Sequence, residues 1–71
     1  MKVTFWFTDM EDNPTKDFPL ENWNYPLPCS GDVIHCDDEE NELEYVGTVA
    51  YTDWYVGENF LYEAVINVRE L

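Results

Sequence analysis

Cys29, His35, Cys36 and Asp37 are the residues whose types most readily suggest shared chemistry, since thiolate, imidazole and carboxylate all ligate zinc. Their spacing, C-x5-H-C, lacks the close pairs such as C-x2-C and H-x3-H with which a structural zinc site grips its tetrahedron. In an extended segment the adjacent His35 and Cys36 would point to opposite faces. The pattern favours free, reduced thiols beside an exposed histidine over a zinc site or a Cys29–Cys36 disulfide. The oxygens of the run from Asp37 to Glu44 could meet calcium, yet the alternating ligands, central glycine and terminal glutamate of a twelve-residue calcium loop are missing. Ser30 and His35 are the only serine and histidine, separated by one short segment, so a nucleophile, base and orienting acid would have to converge from nearly adjacent positions. Carboxylate pairs are inevitable with sixteen acids, but a chain of 71 residues leaves little room for a water-excluding pocket. The expectation is a binding protein, not an enzyme, with no metal and no cofactor.

What remains is charge. Six carboxylates, Asp37, Asp38, Glu39, Glu40, Glu42 and Glu44, crowd into eight residues with no lysine or arginine among them. Over the whole chain sixteen acids face Lys2, Lys16 and Arg69, for a net charge of −13. Solubility asks for a magnitude of only about 2 to 8 in a small domain, and like charges held at ~7 Å oppose folding. Charge runs are commonly solvated loops, and acids at a hairpin also discourage edge pairing. Here, however, Asp9, Glu11, Asp12, Asp53 and Glu58 extend the negative surface beyond the run. Duplex DNA carries one charge per ~1.7 Å of axis, so thirteen charges match ~22 Å of duplex, comparable with the width of a domain whose radius of gyration should be about 11 Å. Nucleic acid and anionic membranes would be repelled; a basic protein surface is the natural partner.

Aromatic residues make up 17% of the chain and must supply most of a small core. Tyr51, Trp54 and Tyr55, beside Asp53, are the candidates for an exposed patch in which rings give affinity and acids steer arrival.

The elements that position these residues read as strands. Val3, Phe5 and Phe7 alternate with Thr4, Trp6 and Thr8, a period of two. Asn13 and Pro14 favour a turn. From Glu11 to Gly31 runs a long connection with all four prolines, unfit for a central strand or a long helix. It carries Phe18, Leu20, Trp23, Tyr25 and Leu27, so it should pack back on the body. "GDVIHC" predicts a short strand with Val33 inward. "LEYVGTVAYTDW" follows, with Gly47 permitting a bulge, then a turn at Gly57. "FLYEAVINVRE" alternates with Phe60, Tyr62, Ala64, Ile66 and Val68 on one side. Residues 1–71 therefore predict a single all-β domain: a small antiparallel SH3-like barrel or strongly bent sheet of 4–5 strands with one long ordered loop after the first. The absence of a basic start, an apolar leader or a membrane-length run suggests a soluble, cytoplasmic protein.

Two resemblances follow. A first strand, a long excursion in the place of the RT loop, and "SGDVIHC" as the strand opening resemble SH3-like barrels over positions 30–71. The ALYDY-type stretch, WW pair and PSNYV-type end of proline-peptide-binding SH3 domains are missing, so the resemblance implies topology and not ligand. In size, composition and charge the chain resembles phage-encoded anti-defence proteins, such as anti-CRISPR, antirestriction and uracil-DNA glycosylase inhibitor proteins. That resemblance implies a DNA or RNA mimic, working in a host cytoplasm, that inhibits a nucleic-acid-binding protein by occupancy. An acidic SH3-like interaction module, binding a peptide or an assembly subunit through the aromatic patch, is the alternative, and a carbohydrate-binding domain a third.

Overall fold

A computed structural model describes residues 1–8 and 15–71. The expected turn at Asn13–Pro14 lies outside them, as do Asp9, Glu11 and Asp12. The described residues form one five-stranded sheet and no helix: β1 (Lys2–Thr8), β2 (Lys16–Leu20), β3 (Val33–Asp38), β4 (Leu43–Val56) and β5 (Leu61–Glu70), in the spatial order β2-β1-β5-β4-β3. Three ladders are antiparallel, as expected, but β1 and β5 run parallel, with Phe5 opposite Ile66. This parallel pairing joins the two ends of the chain, and the elements between them serve as the long crossover such a pair requires.

Alternation builds the core. Val3, Phe5 and Phe7 of β1, Tyr45 and Val49 of β4, and Ala64, Ile66 and Val68 of β5 are buried on one face. Phe7, Phe18 and Tyr45 form a triangle of rings with centroids 5.6–5.7 Å apart. Since Phe18 belongs to edge strand β2 and Tyr45 to β4, the sheet must curl to bring them together, giving a partly closed barrel. The proline-rich excursion is ordered, as expected: Phe18, Trp23 and Leu27 pack on the core, and the Trp23 N–H donates to the Met1 carbonyl at 2.8 Å. It also contains β2, with Pro19 on a sheet edge, where a missing N–H is tolerated.

Two details differ from expectation. Val33 is 51% exposed, while Ile34 and Cys36 face the core. Both Val33 and Ile34 are apolar, so composition alone could not choose the phase of β3. Gly47 holds no bulge: it sits in register opposite Ile34 and Glu70. A Cβ there would lie 2.2 Å from the Arg69 carbonyl oxygen, so this glycine serves close backbone approach. The β4–β5 register shifts instead between Val49 and Tyr51 and again between Tyr55 and Val56, and the first shift turns Tyr51, Asp53 and Tyr55 away from the core face.

Candidate functional site

The acidic run is a hairpin. β3 ends at Asp38, which pairs with Leu43, the first residue of β4. Between them Asp38 acts as the internal staple of the turn: its Oδ1 accepts the Asn41 N–H at 3.3 Å and its Oδ2 the Asn41 side-chain amide at 2.9 Å. The Lys16 ammonium of β2 adds an ion pair at 3.4 Å. Asp38 is only 6% exposed, so it belongs to the scaffold and not to a contact surface. The Asn41 amide first, then the Asn41 N–H and Lys16, hold its carboxyl below the usual carboxylate range against the opposing effect of burial.

The other five acids of the run, Asp37, Glu39, Glu40, Glu42 and Glu44, are exposed. Asp37 lies directly across the ladder from Glu44, an arrangement of like charges that weakens a strand pair. Glu42 has φ +54°, in the left-handed region where glycine or asparagine is favoured. Together with Asp38 and Leu43, four of these five, all but Glu40, line a shallow concavity of about 390 Å³ that contains no basic residue. His35, exposed on β3, brings its Nδ1 to 3.6 Å from Glu44. Among the described cations, Lys2 and Lys16 are engaged by Glu63 and Asp38.

The remaining expected site residues lie elsewhere. Acidic turn and aromatic patch lie toward opposite ends of the 14-residue strand β4, with Leu43 and Trp54 roughly 36 Å apart along the extended chain, in a molecule 40 Å long. Asp53 and Glu58 are exposed at this distal end, away from the acidic hairpin. Tyr51, Trp54 and Tyr55 are all exposed, but they do not share a face: Trp54 pairs with Ala64 on the core side, whereas Tyr51 and Tyr55 pair with Asn67 and Glu63 on the other. Sequence reasoning missed the company Trp54 keeps. Val56, Phe60, Leu61 and Tyr62 are also exposed around the β4–β5 turn, with the Phe60 and Tyr62 rings 5.9 Å apart. The apolar run "FLY" after the glycine turn was the available signal.

The thiols are separate. Cys29 is exposed, its N–H donating to Asp32 Oδ2 at 2.7 Å, and Cys36 packs against the core; both are free. Burial first, then the neighbouring Asp37 charge, pushes the Cys36 thiol up to about 11. Among the described residues no three His, Cys, Asp or Glu side chains come together as a metal site, and no helix is long and apolar enough to cross a membrane. Ser30 donates to the Ala50 carbonyl at 3.3 Å, while His35 faces Glu44.

What these features define is a curled β domain with an acidic hairpin at one end of its longest strand and an apolar hairpin at the other. Comparison of the chain with protein-family models, curated proteins and solved structures returns no match.

Proposed function

We propose that this protein binds a basic host protein through the β3–β4 hairpin and occupies its nucleic-acid-binding surface, as a nucleic-acid mimic and inhibitor of the phage anti-defence kind. The supporting observation is the cross-strand pair Asp37 and Glu44, reinforced by Glu42 at φ +54°: like charges face each other, and a carboxylate occupies a position that glycine would fill with less strain. A hairpin selected for stability alone would carry neither. Five exposed carboxylates then stand where phosphates would, meet the target's Lys and Arg side chains, and release its bound anions. Neither nucleic acid nor an anionic membrane is a ligand in this reading, and no catalysis is involved.

The test is capture from a host lysate at low and at high salt. The wild-type chain should retain a basic nucleic-acid-handling protein at low salt and release it steeply as salt rises. The variant Asp37→Asn, Glu39→Gln, Glu40→Gln, Glu42→Gln, Glu44→Gln should not retain it.

A second reading rests on the distal turn. Trp54, Val56, Phe60, Leu61 and Tyr62 expose an apolar cluster of the kind that marks interaction surfaces. An interaction module working through that end would bind almost independently of salt and would fail on Trp54→Ala or Phe60→Ala.

A further inference from the structure

The face of the sheet opposite the core carries a cleft away from the acidic hairpin; its Tyr55 ring lies 6.3 Å from the Tyr62 ring of the distal turn. It arises from register. Asp17, Trp6, Asn67 and Tyr51 form one row across four strands, Pro19, Thr4, Val65 and Asp53 the next, and Lys2, Glu63 and Tyr55 a third. The irregularity between Val49 and Tyr51 is what brings Asp53 and Tyr55 onto this face. The resulting cavity of about 330 Å³ is walled by the Trp6 and Tyr55 side chains and edged by Asp17, Asp53, Glu63 and Lys2. That volume lies at the small end of the range for ligand sites, roughly 300 to 1,000 Å³.

Two of the carboxylates are held from beneath. Thr4, 7% exposed, donates its hydroxyl to Glu63 Oε2 at 2.9 Å, and Asn67, 3% exposed, donates its amide to Asp53 Oδ2 at 3.1 Å. Each bond fixes one oxygen of a carboxylate that lines the cleft. Lys2, 3.9 Å from Glu63, offsets one of the three negative charges.

We propose that this cleft takes the arginine side chain of a protein partner. A guanidinium is planar and stacks on indole and phenol faces, and its fork of N–H donors suits carboxylates spaced along a cleft edge. A lysine ammonium offers charge without the plane. The cleft is distinct from the acidic hairpin, so its occupancy neither requires nor implies the reading given above.

The probe is Nα-acetyl-arginine amide, titrated into the full chain at about 0.15 M salt, where weak surface attraction is screened, with the Trp6 indole and Tyr55 ring resonances followed by NMR. Arginine amide should shift both signals saturably, the lysine analogue several-fold more weakly, and the uncharged citrulline analogue not at all. Trp6→Leu and Glu63→Gln should each weaken binding about threefold or more, and Asp37→Asn with Glu44→Gln should leave it unchanged. Equal response to all three ligands, shifts confined to residues 37–44, or a response only to neutral sugars would overturn the assignment. Mapping on the wild-type chain decides the matter even if a variant fails to fold.

Discussion

The Asp38 carboxylate lies 3.4 Å from the Lys16 ammonium and so joins β3 to β2, the two opposite edges of a single sheet. This contact, with the Phe18 and Tyr45 rings 5.6 Å apart, turns an open sheet into a partly closed barrel. It also anchors the acidic hairpin from inside, because the same carboxylate organises the turn through Asn41. One acid of the run is thus structural, while the five others are exposed.

Asp38→Ala should therefore lower the thermal midpoint by roughly 10 °C, measured by circular dichroism, and Lys16→Met by less. The pH dependence has a definite sign. A carboxyl whose folded value is lowered contributes stability that is fully present above its unfolded value near pH 4 and is lost as pH falls through the folded one. The stability difference between wild type and Asp38→Asn, read from urea midpoints, should shrink as pH drops below about 4.

The hairpin should be improvable at the expense of charge. Glu42→Gly removes the left-handed strain at φ +54° and should stabilise by about 1 kcal/mol. Glu44→Gln relieves the pair with Asp37 and should add a few tenths of a kcal/mol. Added salt should stabilise the wild-type chain more than either variant. Denaturant midpoints at neutral pH test all three, and a loss of stability in Glu42→Gly would contradict the account of the turn.

The two thiols should separate cleanly. At pH 8 a disulfide reagent should modify exposed Cys29 quickly and Cys36 only after unfolding, since the Cys36 thiol is raised to about 11. By linkage, its contribution to stability is fully present below the unfolded value near 9 and is lost as pH rises through about 11. Two equally fast thiols in native protein would contradict the burial of Cys36.

Gly47→Ala should be among the most damaging small substitutions. The added methyl meets the backbone carbonyl of Arg69 at 2.2 Å and Val68 Cγ1 at 2.7 Å, and a backbone group cannot swing aside. A loss of about 3 kcal/mol or more is expected, checked by thermal unfolding.

These residues also mark how far sequence reasoning reaches. The alternation of Val3, Phe5 and Phe7, and of Ala64, Ile66 and Val68, locates β1 and β5, because burial on one face imposes a period of two. Their parallel pairing is a non-local choice with no local signature. β2 is masked by Pro19, which only an edge accommodates. A glycine inside a strand signals either a bulge or a close approach, and at Gly47 the second holds. The acidic hairpin is legible as composition, but the pairing of Asp38 with Lys16, distant in sequence, is not. The division of Tyr51 and Tyr55 from Trp54, and with it the outer cleft, follows from the irregularity after Val49 and from pairing across four strands.

The central claim is that the exposed carboxylates of the β3–β4 hairpin compete with nucleic acid for one surface of a basic partner. The most direct measurement takes the protein captured from lysate, forms its complex with this chain, and titrates in the partner's own DNA or RNA while both interactions are monitored. The account predicts mutual exclusion, with the complex releasing this chain as nucleic acid binds and with the five-amide variant unable to displace nucleic acid. A stable ternary complex, or displacement by the five-amide variant as effective as by wild type, would contradict it.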